Sequence, residues 1–225
     1  MSGGRFGTPL FQACLAGNWI MFESMVKHSP HFDSAVEPNG LNLLHAACIG
    51  ESERIVQWLL NNSSILVDSQ TRITHETPIL FACGSGTKMV VELLLAKGAE
   101  LTWKDNLGHS ALLHAVNGIS ATMMSVIKML LANGVDVDEA SNDGITALMA
   151  ASAQGNVKAV KYLLAKGADP SVRTKTQKAT ALHYATFKGR HNVVEILLED
   201  GRVPINMADD DGRTPLHWAL YTNKR

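Results

Sequence analysis

The sequence predicts an all-α solenoid, and three observations predict it. A hexapeptide recurs seven times, at spacings of 34, 35, 33, 36, 34 and 34 residues. Periods of that length mark stacked repeat architectures. A block with a broad apolar stripe at helical spacing follows each of the first six copies. Glycine closes four of those blocks, where a helix C-terminus takes a left-handed residue.

The hexapeptides are Thr8-Pro9-Leu10-Phe11-Gln12-Ala13, Asn42-Leu43-Leu44-His45-Ala46-Ala47, Thr77-Pro78-Ile79-Leu80-Phe81-Ala82, Ser110-Ala111-Leu112-Leu113-His114-Ala115, Thr146-Ala147-Leu148-Met149-Ala150-Ala151, Thr180-Ala181-Leu182-His183-Tyr184-Ala185 and Thr214-Pro215-Leu216-His217-Trp218-Ala219. The first residue is always small and able to accept a hydrogen bond, which places it to cap a helix by binding a backbone N–H. Pro suits the next position, because the first helical turn has no partner for its N–H. Thr8-Pro9, Thr77-Pro78 and Thr214-Pro215 combine both devices. The sixth residue is Ala in every copy, which lets neighbouring helices approach closely.

The second block runs over Met21 to Pro30, Ile55 to Ser64, Val90 to Ala99, Val126 to Val135, Ala159 to Ala168, and Val193 to Arg202. Val90-Val91-Glu92-Leu93-Leu94-Leu95-Ala96-Lys97-Gly98 is its clearest form. Such a stripe cannot be buried inside one repeat, so stacking of neighbours must cover it. Gly98, Gly134, Gly167 and Gly201 stand at the helix ends, with Ser29 and Ser63 in the first two repeats.

The chain has 225 residues, 46% hydrophobic and 18% charged, with 20 Lys and Arg against 21 Asp and Glu. It is too apolar and too charge-balanced for a disordered tail. It has no basic excess of the kind that drives non-specific nucleic-acid binding. Three cysteines cannot form a disulfide scaffold. No apolar run approaches the roughly 18 residues of a membrane span. Met1-Ser2-Gly3-Gly4-Arg5-Phe6-Gly7 lacks the features of a secretory signal. The expectation is a protein of the cytoplasm, with the nucleus as the other compartment.

The Thr-Pro-Leu-His-x-Ala motif, the period and the Leu-Leu-x-x-Gly-Ala ending resemble the ankyrin-repeat family over residues 4–225. The resemblance implies two antiparallel helices per repeat and a short β-hairpin finger between repeats. It implies a single array over 1–225, with repeats starting near 4, 38, 73, 106, 142, 176 and 210 and the last incomplete. A stack that stops after half a repeat is expected to belong to a longer protein. Asn39-Gly40, Leu107-Gly108, Asp143-Gly144 and Asp211-Gly212 supply positive φ to four fingers. The fingers at 72–76 and 175–179 have no Gly and are expected to be less regular.

Function follows from the same resemblance. It implies protein binding in a pre-ordered concave groove made by fingers and inner helices, monomeric as an isolated domain. The alternative is a targeting or substrate-recruiting domain of a larger enzyme, channel or ubiquitin-ligase subunit. The family's variable positions fall on Arg5, Ile49, Ile73, Thr74, Glu76, Leu107, His109, Asn117, Asn142, Asp143, Ile145, Gln154, Gln177, Phe187, Lys188, Asp210, Arg213 and Tyr221. The central subset from Ile73 to Lys188, joined by the finger residue Trp103, is the expected partner-binding set. An insertion near Asn117-Gly118-Ile119-Ser120-Ala121-Thr122 is expected to widen one helix–helix turn.

Other candidates have plainer readings. Cys14, Cys48 and Cys83 share one repeat position; stacked helices stand about 8–10 Å apart, too far for a disulfide, so they read as small core residues. His45, His183 and His217 share the fourth hexapeptide position, where the family uses the ring to bond backbone between repeats. Gly84-Ser85-Gly86-Thr87-Lys88 has the wrong order and context for a phosphate loop. Asn62-Ser63-Ser64 matches a glycosylation sequon without a secretory signal. Trp58 and Trp218 read as core. Residues 156–190 hold eight Lys or Arg and one Asp, between acidic stretches at Asp136, Asp138, Glu139 and Asp143 and at Asp209, Asp210 and Asp211. Those flanks argue against nucleic acid; the pattern reads as solvated surface or as a field that orients a partner. No carboxylate pair, nucleophile–base pair or metal set stands at workable spacing, so no catalysis, metal or cofactor is expected.

Overall fold

The computed structural model describes residues 8–29, 31–118 and 120–222. Arg5, the start of the first repeat near 4, Pro30 of the first stripe block, Ile119 of the insertion, and the Tyr221 side chain lie outside what is described.

Thirteen α-helices are present among the described residues, and they group into two compact units. The first unit is Met1–Asn106 with Gly118–Val126; the second is Leu107–Asn117 with Ile127–Arg225. The first contains α1 (Pro9–Leu15), α2 (Trp19–Val26), α3 (Leu43–Ile49), α4 (Glu53–Asn62), α5 (Pro78–Ser85) and α6 (Lys88–Ala96). The second contains α7 (Ala111–Asn117), α9 (Ala147–Gln154), α10 (Val157–Ala165), α11 (Ala181–Phe187), α12 (His191–Glu199) and α13 (Pro215–Thr222). The helix α8 (Met123–Ala132) has its first residues in the first unit and the rest in the second.

Each hexapeptide forms an inner helix and each stripe block an outer one. In the first unit α1, α3 and α5 pack in a row, with α2, α4 and α6 behind them. In the second unit α7, α9, α11 and α13 form the row, with α10 and α12 behind. The constant Ala makes this spacing possible: Ala13, Ala47, Ala82, Ala115, Ala151 and Ala185 are fully buried. The stripe is covered as the periodicity requires, with Val56, Leu59, Val91, Leu94, Val160 and Leu163 buried. Cys14, Cys48 and Cys83 are free, buried thiols of the first unit. Burial pushes Cys14 and Cys83 up to about 12. Among the described residues no helix is long and apolar enough to cross a membrane.

Helix capping departs from the expected uniformity. Asn42 accepts from the N–H of Leu44 and His45 at 3.0 and 3.1 Å. Thr8 and Thr146 accept only long bonds, at 3.4 Å each. Thr77 does not cap at all: its buried Oγ1 has no partner among the described residues. Where His occupies the fourth position of the second and sixth copies, its ring completes a capping box by accepting the N–H of the cap residue itself. His45 Nδ1 accepts the Asn42 N–H at 3.2 Å and His183 Nδ1 the Thr180 N–H at 3.1 Å. An accepting Nδ1 leaves the proton on Nε2. His45 Nε2 therefore donates to the carbonyls of Ser69 and Glu76, at 3.0 and 3.3 Å, and His183 Nε2 to that of Arg213 at 3.2 Å. One side chain thus caps its own helix and ties it to the next repeat. The cost is a buried imidazole, and desolvation lowers His45 to about 4.

The helix ends follow the sequence. Gly98, Gly134, Gly167 and Gly201 have φ of 86, 81, 93 and 74°. The first two outer helices end differently, as Ser29 and Ser63 foretell: a 3-10 turn, Phe32–Ser34, follows α2, and Ser63 is extended after α4. Trp58 is half-buried rather than enclosed, with Phe22 and Phe32 against its ring.

The candidate partner-binding surface

The fingers are tight hairpin turns, each too short for a ladder of strands. A backbone bond spans five of them: Glu37 N–H to Leu41 O, Thr71 to Glu76, Ser141 to Ile145, Thr174 to Ala179 and Asp209 to Arg213, at 2.8–3.0 Å. The one isolated β-bridge among the described residues is Val36 with Asn42. The two fingers without Gly are one residue longer than the others, and they keep the turn. His75 and Lys178 take its left-handed position at φ of 57 and 53°. Both stand two residues before their hexapeptide, where the other fingers carry Gly.

A second set of bonds runs from finger to finger. In the first unit Arg72 N–H donates to Asn39 O and Asn106 N–H to Thr74 O, each at 2.8 Å. In the second unit Asn142 N–H donates to Leu107 O, Lys175 to Asp143 and Asp210 to Gln177, at 2.8–2.9 Å. The residue before the left-handed position always accepts. The finger backbones of each unit are therefore tied to one another in series.

In the first unit Ile73 is 68% exposed. Thr74 and Glu76 have structural work: Thr74 Oγ1 donates to Glu76 Oε2 at 2.6 Å, and Thr71 Oγ1 accepts the Glu76 N–H at 2.9 Å. Trp103 is 38% exposed and its indole hydrogen-bonds the Asp68 carboxylate, so one edge is used and one face is open.

In the second unit Leu107 and Phe187 are 57% and 41% exposed, and Asn142, Asp143, Gln177 and Lys188 are exposed. Lys188 Nζ stands 5.5 Å from the Phe187 ring centroid, and that ring packs edge-on against Trp218 at 5.6 Å. Asn117 and Gln154 belong together: Gln154 Nε2 donates to Asn117 Oδ1 at 3.1 Å. His109 is half-buried with its ring edge-on to His114 at 6.1 Å. Ile145 is half-buried.

The charge pattern changes on folding. Asp209 is not part of an acidic surface. Its side chain is fully buried, and it accepts from the Arg213 N–H at 2.7 Å, the Arg213 Nε at 2.8 Å and the Trp218 indole at 2.8 Å. Burial alone raises its pKa; those hydrogen bonds outweigh burial and hold the carboxyl at about 2. The reason is local: the tight finger brings Arg213 back over Asp209, four residues away. Asp211 is taken by the same Arg213. The basic zone is also split. Lys158, Lys161 and Lys166 lie along α10 and its end, Arg173, Lys175 and Lys178 lie on a finger, and Lys188 and Arg190 lie on the α11–α12 turn. Arg173 and Arg190 donate to backbone carbonyls of Lys178, Ala208 and Ala153.

Paired helices at a constant period, finger turns bonded in series and outward side chains on the fingers define a repeat protein built for interaction. The chain belongs to the ankyrin-repeat family. Family models described as ankyrin repeats match residues 79–174, 119–206 and 169–225, and another matches 44–95. Ankyrin repeats are protein-interaction domains. The chain is similar to human "Transient receptor potential cation channel subfamily A member 1", 32% identical over 164 residues, covering 70% of this chain and 14% of the relative. It is similar to "Palmitoyltransferase AKR1" of Lachancea kluyveri, 32% identical over 163 residues, covering 70% and 21%. It thus spans less than a quarter of the length of either relative. Among solved structures, the human ASB11 ankyrin repeat domain superposes with a TM-score of 0.82 at 26% identity, covering 95% of this chain and 92% of that one.

Proposed function

We propose that this chain is a binding module without chemistry of its own, and that it grips a protein or peptide partner through its finger faces. The observation that carries this is the series of bonded fingers of the second unit, with Leu107, Phe187 and Lys188 exposed. A pre-ordered surface loses little backbone entropy on binding. Apolar anchors rimmed by Asn142, Asp143, Gln154 and Gln177 are the composition of a specific interface. In the first unit Ile73 and Trp103 are the corresponding anchors, and His109, Asn117 and Ile145 support the second set. Thr74 and Glu76 act by shaping their finger.

The module works in the cytoplasm or nucleus as part of a longer protein. The curated relatives support the reading of a longer protein, since the matched region is a small part of both the channel and the palmitoyltransferase. It is monomeric on its own, with no nucleic-acid ligand.

Affinity capture followed by quantitative mass spectrometry tests the reading. Two variants, Ile73→Ser/Trp103→Ala and Leu107→Ser/Lys188→Glu, alter exposed side chains and should fold as the parent does by circular dichroism. The expected outcome is a partner set lost from at least one of them. Identical capture by both variants and the parent overturns the finger-face assignment.

A further inference from the structure

Histidine recurs at the fourth position of the hexapeptide, as His45, His183 and His217. The fourth copy breaks that pattern. Leu113, fully buried, holds the fourth position, and the histidine follows one residue later as His114. One residue along a helix turns a side chain by about 100°. His114 therefore leaves the cap to Ser110, whose Oγ accepts the Leu113 N–H at 3.5 Å. Its ring instead stands edge-on to His109, with centroids 6.1 Å apart.

Both residues belong to the second unit, and both are half-buried. Ring nitrogens of the two lie within 4.8 Å of each other. A tetrahedral zinc ion with bonds of about 2.0–2.1 Å holds two nitrogens about 3.3 Å apart, so small ring rotations suffice to close the pair on one ion. The backbone beneath them is bonded. Asn142 N–H donates to Leu107 O on the finger of His109, and His114 N–H to Ser110 O, each at 2.9 Å. The fold does not require the pair. The same two positions hold Leu41 and Ala46, Glu76 and Phe81, Ile145 and Ala150, Ala179 and Tyr184, and Arg213 and Trp218 in other repeats. Sequence spacing hides it, because residues five apart do not share a helix face. The two meet because His109 precedes α7 and lies on the arm of the finger.

We propose that His109 and His114 form a zinc-binding site. Each gives one ring nitrogen, and the other coordination positions go to oxygen ligands, water among them. Imidazole nitrogen favours zinc over magnesium and calcium, which seek oxygen. The ion ties the finger arm to α7 and stabilises the folded chain by mass action. This site does not depend on which partner the finger faces take.

The test uses the whole chain and zinc chloride, in calorimetric titrations at pH 7.5 in a non-coordinating buffer. Saturable binding of one ion per chain is expected, weakened at least tenfold by His109→Asn and by His114→Gln. His75→Asn, on a finger of the first unit, should leave it unchanged, and magnesium chloride should give no binding heat. Long-range nitrogen–proton spectra should show the imidazoles of His109 and His114 shifting together as zinc is added. His109 stands where other repeats carry unrelated side chains, so His109→Asn should fold as the parent does by circular dichroism. No saturable binding overturns the proposal. So does equal affinity in His109→Asn, the result expected if zinc sits on the thiols or on other histidines.

Discussion

Single residues set how closely the backbones approach. A Cβ on Gly50 would stand 2.1 Å from the Cys14 carbonyl oxygen and 2.8 Å from that of Leu15. Both neighbours are backbone, so neither can turn away. Gly50→Ala should therefore destabilise by about 2 kcal/mol or more, read as a shift in urea midpoint. Lys178 makes the opposite case. A left-handed backbone costs an L side chain about 1–2 kcal/mol, and Gly removes that cost while losing some chain entropy. Lys178→Gly should stabilise by about 0.5–1 kcal/mol in the same assay.

His45 links a residue to pH. Its folded value of about 4 lies below the ordinary 6.5, so the unfolded chain binds the proton more readily. The stabilisation is complete above pH 6.5 and is lost as pH falls toward 4, up to about 3 kcal/mol in all. His183 is lowered in the same direction, again chiefly by burial. Urea midpoints at pH 7.5, 5.5 and 4.5 should fall in that order, and His45→Gln should flatten the fall.

At the scale of elements, the last finger and α13 depend on one carboxylate. Asp209 joins the finger turn, Arg213 and the Trp218 indole. The Trp218 ring in turn packs edge-on against His183, Tyr184 and Phe187 of α11. Asp209→Ala leaves buried donors without an acceptor and should cost about 2–4 kcal/mol. Limited proteolysis should then cut first between 209 and 222. An uncut segment would mean that the apolar packing of Trp218 suffices. This network shows how a pattern in sequence misleads. Asp209-Asp210-Asp211 reads as one acidic run, but the turn sends the first inward and leaves the second outside. Only the i, i+4 return of Arg213 across a tight finger marked it beforehand, and many exposed fingers share that spacing.

At the scale of the whole molecule, stability is a sum over helix pairs and their stacking contacts. The buried thiols report it. Cys14, Cys48 and Cys83 should resist a thiol reagent in the native protein and react together as urea opens the first unit. Rapid native reactivity of one thiol would show that its repeat opens alone. Helix positions, turn glycines and the buried stripe were legible because each is set by local spacing, the helices and stripe repeated six or seven times and the glycines four times at each place. The exposure of the candidate surface was legible only in part. Ile73, Leu107 and Lys188 stand outward as their register predicts. Thr74, Glu76 and Asn117 stand at similar register but are engaged with neighbouring side chains, which local spacing cannot reveal.

By itself, the sequence determined the repeat, the helices, their ends and the family, because hydrophobic period and turn chemistry act over a few residues. Only the tertiary structure decided which polar side chains remain available. It turned Asp209 inward and bound Glu76 to Thr74. Both outcomes turn on the path of a tight finger, which folds side chains a few residues apart back onto one another in a geometry that their spacing alone does not give.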